Sequence, residues 1–167
     1  MDNSINVGGL KWFPKIDALC LKISELNFGK RVRGRKPSHL SGIIPEKFTR
    51  KDCASQVGGI FDIRGFFVPI TAGFKVDLKV LTKGKYAWTD NIPDDLKGIW
   101  VSNFELIRQL GNVLIKRAVV PEDAVSLDIE TLELGDASEE LACSVIYGRF
   151  TLKSGEYSCQ FLFSRSF

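Results

Sequence analysis

The feature that most constrains the fold is a change of hydrophobic period near Pro121. Between Thr49 and Gly111 the apolar residues recur at helical spacings, and beyond Pro121 they alternate in short runs. Helices on one side of such a switch and strands on the other place the chain in the α+β class. The helical side has one element with a strong start signal. Asp90-Asn91-Ile92-Pro93-Asp94-Asp95 offers an Asp or Asn cap, a proline in the first turn and acids at the positive end of the helix dipole. Leu96, Ile99, Trp100, Phe104, Ile107 and Leu110 then mark a buried face, and Gly111 stops the helix.

On the strand side, Val125, Leu127 and Ile129 alternate, followed by Leu132 and Leu134 after one slip. Two more runs, Leu141 to Phe150 and Tyr157 to Phe163, are joined by Lys153-Ser154-Gly155-Glu156, a hairpin turn. Together they predict a three-stranded antiparallel meander.

Upstream, Gly8 to Leu26 reads as a β-hairpin: Leu10 and Trp12 alternate, Pro14 interrupts, and Leu19, Leu21 and Ile23 resume the period of two. Asn27 to Pro45 is punctuated by Gly and Pro and reads as an exposed basic loop. A helix starts near Thr49, with Asp52 completing an imperfect capping box and Cys53, Val57, Ile60 and Phe61 on one face. Gly58-Gly59 and the Asp62-Ile63-Arg64-Gly65 turn end it. A further helix over Pro69 to Leu81 carries Phe74, Val76, Leu78 and Val80 between lysines. The chain thus divides into an N-terminal hairpin and basic loop (1–47), a helical middle (48–120) and the strands (121–167).

Composition narrows the function classes. The 167 residues are 44% hydrophobic and 26% charged, a globular balance. No segment approaches the about 20 apolar residues needed to span a bilayer, and the N-terminus lacks a signal-peptide pattern. An intracellular location, cytoplasmic or nuclear, and no membrane partner are expected. The four cysteines, Cys20, Cys53, Cys143 and Cys159, form no CxxC pair and read as small buried thiols of a reducing compartment. A single histidine, His39 in a polar loop, argues against a zinc site and against Ser-His or Cys-His catalysis.

Three features bear on chemistry. Asp136 in Gly135-Asp136-Ala137-Ser138 lies between two strand-like runs, where an ordinary turn residue competes with the first carboxylate of a metal-dependent site. Five cations between Lys30 and Lys36 (Lys30, Arg31, Arg33, Arg35 and Lys36) attract phosphate through counterion release, or simply solvate a loop. No aromatic residue interleaves them, so base-specific recognition is not indicated. Among the aromatics, Trp100 reads as core, Phe66-Phe67 as a buried inter-helix turn, and Trp88 as a hydrophobic staple for the following helix.

Several phrases, taken in order, resemble a known family. Arg50-Lys51-Asp52-Cys53-Ala54-Ser55-Gln56-Val57 leads into Ile60-Phe61-Asp62-Ile63-Arg64-Gly65-Phe66-Phe67-Val68-Pro69-Ile70. This is similar to BEL/Pao-type LTR retrotransposon polyproteins, with their helix and phrase of the form IFDPLGLLAP. The likeness continues through Lys75, Trp88-Thr89-Asp90-Asn91-Ile92-Pro93-Asp94-Asp95-Leu96, Trp100, Lys116-Arg117 and Pro121 to Gly135-Asp136-Ala137-Ser138 and Phe163-Ser164-Arg165-Ser166. Ile63-Arg64 stands where the family often has Pro-Leu, and Ala142-Cys143 where an aromatic-glycine pair is common.

The resemblance implies a hairpin from the end of a polymerase palm, a thumb and connection in the helical middle, and the opening strands of an incomplete ribonuclease H-like domain. Asp136 would be a vestigial ligand among carboxylates that elsewhere hold two Mg2+ ions. The polymerase motif Tyr-x-Asp-Asp and the later ribonuclease H glutamate do not occur in these residues. One carboxylate cannot hold two ions, so the chain alone is expected to use no cofactor and to catalyse nothing, while the parent polyprotein would be an RNA-directed DNA polymerase and ribonuclease H. Its partners would be an RNA–DNA hybrid, held weakly by the backbone, and the rest of the polyprotein. Lys30, Arg31, Arg33, Arg35 and Lys36, backed by Lys51, Lys116 and Arg117, would make the contacts. Two alternatives stay open: a domesticated protein-interaction module, or an unfolded pseudogene product whose strand over Tyr157 to Phe163 is left as an apolar edge.

Overall fold

The computed structural model describes residues 4–28 and 42–167. Its elements are β1 (Ile5–Val7), β2 (Leu10–Phe13), β3 (Ala18–Leu21), α1 (Arg50–Gly58), α2 (Val68–Lys83), α3 (Asp94–Leu110), β4 (Ile115–Lys116), β5 (Glu130–Ala137), β6 (Ala142–Thr151) and β7 (Tyr157–Ser166). Three helices, a four-stranded sheet in the order β1-β2-β3-β4 and a three-stranded meander β5-β6-β7 make the protein α+β. None of the described helices is long and apolar enough to cross a membrane. The basic run from Lys30 to Lys36 and His39 lie outside the described residues.

Two compact units divide the chain. One comprises Met1–Leu19, Asp62–Ala72 and Leu114–Phe167, and the other Cys20–Phe61 and Gly73–Val113.

The second unit is organised by aromatic packing. Phe104 of α3 lies edge-on to Phe28 and to Phe48, each at 5.1 Å between ring centroids, with Trp100 one turn earlier at 6.0 Å. Trp100, Phe104, Ile107 and Leu110 are buried at the spacings the sequence predicts. Each such ring or aliphatic chain contributes about 1.5–3 kcal/mol relative to exposure. Ile99 is exposed instead, and Asn103 takes a place on the buried face, donating to the Asp77 carboxylate of α2 at 2.7 Å. α3 also starts differently from the expectation: Pro93 is itself the N-cap, with no side-chain cap, and the Asp90 carboxylate accepts from Ala87 N–H instead.

α1 has a complete capping box, Thr49 Oγ1 accepting from Asp52 N–H while the Asp52 carboxylate accepts from Thr49 N–H at 2.8 Å. The helix ends at Gly58, so Ile60 and Phe61 fall outside it and Phe61 is exposed. α2 buries Phe74 and Leu81 while Val80 faces out, because the helical period overrides the apparent alternation with lysines.

In the first unit, β1 and β2 form a hairpin with Val7 opposite Leu10 across Gly8-Gly9, both at positive φ. The hairpin thus starts earlier than Gly8. The 3-10 turn Pro14–Ile16 leads into β3, which pairs with β4 through Ala18 opposite Lys116 and Leu19 opposite Ile115. Ile23 lies beyond the strand.

The meander is antiparallel throughout, with Leu162 left unopposed by a register shift between Ile146 and Tyr147. Residues 62–67 pack against β7. The Asp62 carboxylate accepts from the N–H groups of Gly65, Phe66 and Phe67 at 3.0, 3.1 and 2.7 Å. Arg64 donates to the carbonyls of Leu162 and Phe161 at 3.1 and 3.0 Å, and Ser164 N–H donates to Arg64 O at 2.9 Å. Phe66 packs on Phe161 at 4.9 Å, and Phe67 is buried. The strand at Tyr157–Ser166 is therefore not left as a bare apolar edge.

Gly65 makes this approach possible. Its φ is +75°, and a Cβ there would sit 1.9 Å from Ser164 O. Ser164 Oγ donates to Gly65 O at 2.5 Å. A side chain at position 65 would thus force the two backbones apart.

Candidate functional site

Asp136 is the next-to-last residue of β5, paired with Cys143 of β6, which in turn faces Ser166 of β7. It is a strand residue, and the turn that follows belongs to Ser138, whose N–H and Oγ both donate to Leu141 O. Glu139 and Glu140 lie in that turn. Strand alternation puts Glu130, Leu132, Leu134 and Asp136 on one face. The Asp136 carboxylate is exposed, and its Oδ1 accepts from the adjacent Ala137 N–H at 2.9 Å.

Of the acids that precede it, Glu130 pairs with Arg149 across the strands and Asp128 accepts from Ser126 Oγ at 3.1 Å. Among the described residues, no three His, Cys, Asp or Glu side chains converge closely enough to share a metal ion. A two-ion centre of the type the resemblance implies needs several hard oxygen ligands. Asp136 with a thiol and a hydroxyl in its row is not such a donor set, and no reaction step follows from it.

The described cations from the sequence reading lie on different elements. Lys51 is exposed in the first turn of α1, and Lys116 is exposed on β4. Arg117 is bound to Asp17, donating Nε to Oδ1 at 2.5 Å and Nη2 to Oδ2 at 3.0 Å, while Trp12 Nε1 donates to the same Oδ1 at 3.1 Å. The Arg117 hydrogen bond holds the Asp17 carboxyl below its ordinary range, and the pair is exposed. The guanidinium also sits 5.5 Å from the Trp12 ring centroid.

None of the four cysteines is in a disulfide, but only Cys20 and Cys53 are buried; Cys143 is half-buried and Cys159 exposed, against the expectation of buried thiols throughout. Burial, with the Asp52 carboxylate beside it, pushes the Cys53 thiol up, so it stays protonated and unreactive.

One arrangement has no reading in the sequence and another differs from its reading. One is the Arg64–Gly65 contact with β7, whose partners lie 97 to 99 residues away; its local signal is the Asp-x-x-Gly turn. The other is Trp88, which is half exposed and lies against the Arg50 guanidinium at 5.5 Å, so it does not staple α3.

No curated protein and no solved structure matches the chain. A family model does: that of the Pao retrotransposon-like RNaseH-like domain, over residues 49–166. The match spans all three helices and the meander with Asp136 on its first strand, and leaves β1 to β3 outside. Covering well over half of the chain, it places this protein in the Pao retrotransposon-like RNaseH-like domain family.

Proposed function

We propose that the chain is a region of a Pao-type reverse transcriptase and ribonuclease H polyprotein that grips an RNA–DNA hybrid through its backbone phosphates and is catalytically inactive alone. The family match over residues 49–166 carries the reading. In this reading the N-terminal hairpin corresponds to the end of the palm, the helices to thumb and connection, and β5 to β7 to the opening strands of the nuclease. Asp136, the only carboxylate assigned to the metal site, is one ligand of a set completed by other parts of the polyprotein, and Mg2+ belongs to that complete site.

Grip on the hybrid falls to Lys30, Arg31, Arg33, Arg35 and Lys36, five cations within seven residues. Lys51 and Lys116 are secondary candidates, with Arg117 contributing less because Asp17 already neutralises it. Non-specific affinities of this kind have a Kd of about 10⁻⁴–10⁻⁶ M at physiological salt and fall steeply as salt rises.

Fluorescence anisotropy with a labelled RNA–DNA hybrid tests the assignment. Arg33→Glu with Arg35→Glu should weaken binding and lower the slope of log K against log salt by about one unit per lost phosphate contact. Unchanged affinity and slope would remove the basic run from the interface.

A further inference from the structure

The segment between α2 and α3 holds Trp88 in an unusual setting. An indole ahead of a helix normally gains by burial, yet this one is 50% exposed. It is nevertheless fixed in place. The Arg50 guanidinium lies 5.5 Å from the ring centroid and is itself anchored, Nη1 donating to Tyr86 O at 2.8 Å and Nη2 to Thr82 Oγ1 at 3.0 Å. Backbone bonds hold both flanks: Lys51 N–H donates to Trp88 O at 3.0 Å and Arg50 N–H to Asp90 O at 3.1 Å. A reverse pair, Ala87 N–H to the Asp90 carboxylate at 2.7 Å and Asp90 N–H to Ala87 O at 3.1 Å, closes the backbone turn that carries Trp88.

The loop also stores strain to reach this arrangement. Lys85 has φ +57°, a left-handed conformation that costs a non-glycine residue of order 1 kcal/mol or more. Gly84, its neighbour, is used differently: a Cβ there would lie 2.5 Å from the Tyr86 ring. The chain thus turns at a lysine so that Tyr86 folds back on Gly84 and presents its carbonyl to Arg50. The outcome is a rigid, half-open indole with the exposed cations Lys51 and Lys85 close to it along the backbone.

The acids nearby do not cancel this charge by reaching toward a ligand. Asp52 Oδ2 is engaged by Thr49 N–H and Oγ1, and Asp90 by Ala87. Nor does the N-terminus of α1 supply an anion site, since the N–H groups of Arg50, Lys51 and Asp52 all have partners within the protein. Any attraction for phosphate there comes from side chains.

A half-exposed aromatic ring with cations near it along the backbone suits a single nucleic-acid strand, one base stacking on the ring while the flanking phosphates meet the charges. We propose that Trp88 is a stacking platform for one base of a single strand, with Lys51 and Lys85 holding the adjoining phosphates. This shares with the reading above the premise of nucleic-acid binding and the cation Lys51, but it is centred on Trp88 and takes a single strand in place of a hybrid.

The test is anisotropy of fluorescein-labelled (dT)12 and of an RNA–DNA hybrid of equal length, titrated with the full chain at two salt concentrations. Trp88→Ala should weaken (dT)12 binding about 5- to 100-fold with an unchanged salt slope, and leave the hybrid within about twofold. Trp88→Tyr should keep most of the affinity, because the stacking face remains. Lys51→Glu with Lys85→Glu should instead lower the salt slope. Equal (dT)12 affinity for wild type and Trp88→Ala would overturn the proposal, as would loss by Trp88→Ala and Trp88→Tyr alike, which signals a packing role. If Arg33→Glu with Arg35→Glu abolishes hybrid binding while Trp88→Ala changes nothing, the platform is wrong and the hybrid reading stands. The opposite pattern keeps the platform and rejects the basic run.

Discussion

Along the outer edge of β7, Arg64 donates to the carbonyls of Phe161 and Leu162 and accepts from Ser164 N–H, while Gly65 O accepts from Ser164 Oγ; along the outer edge of β5, no other strand pairs among the described residues, and all eight residues are exposed. One sheet therefore protects its two edges by different means. At β7 the backbone groups of Phe161, Leu162 and Ser164 are engaged by a clamp built from a left-handed glycine and a forked guanidinium. At β5 they stay available, and the strand carries Glu130, Glu133 and Asp136 beside the exposed Leu132 and Leu134. Charges spaced along an edge discourage pairing with a second strand without occupying it. The first device is a stability device; the second leaves the edge accessible and costs the fold little.

Breaking the clamp at its tightest point should give the largest effect. Gly65→Ala meets Ser164 O at 1.9 Å and a positive φ at the same residue. Strain of 1–3 kcal/mol together with a disturbed hydrogen bond predicts a loss of at least about 2 kcal/mol. Amide exchange over Phe161 to Ser164 should accelerate more than exchange over β5. Equal protection in both proteins would mean that pairing with β6 alone secures this edge.

Replacing the guanidinium should cost less. Arg64→Met removes two charge-assisted bonds to carbonyls and a cation–π contact with Phe66 at 4.6 Å, for about 1–2 kcal/mol by thermal unfolding. Arg64→Lys should fall between, since an ammonium cannot fork across two carbonyls in fixed geometry. A Lys variant as stable as wild type would reduce the clamp to simple charge.

How far the sequence carried these conclusions differs between the same two edges. β6, β7, the Gly155 turn and α3 are legible because each obeys a local period or turn rule, whereas the alternating Val125, Leu127 and Ile129 lie outside β5, which starts only at Glu130. β3 was seen only in part: all four of its residues are buried, which erases the alternation that would bound it. β1 and β4, of three and two residues, are too short to show any period and exist through pairing. The Arg64 clamp joins groups nearly a hundred residues apart, and no local pattern encodes that contact. Asp136 was ambiguous by local rules, since Gly135 before it imitates a turn. Eight consecutive pairs with β6 outweigh the modest penalty of one strand glycine, so the acid ends inside β5. Only the ordered likeness to a family pointed there.

The smallest effect on stability, and the sharpest separation of the two edges, belongs to β5. Asp136→Asn should change stability by less than about 0.5 kcal/mol, because the side chain is exposed and an amide oxygen can accept the Ala137 N–H equally well. Its consequence should appear in association. With Glu133→Gln added, two of the three acids along the strand lose their charge, leaving Leu132 and Leu134 on an edge whose one remaining acid, Glu130, is paired with Arg149. Sedimentation velocity should then show concentration-dependent self-association, whereas Leu134→Lys should keep the chain monomeric at the same concentrations. If the doubly neutralised variant sediments as the wild type does, charge is not what guards β5. In that case the exposed acids of this strand, Asp136 included, are free of an edge-protecting duty, and a ligand role becomes the stronger reason for a carboxylate at position 136.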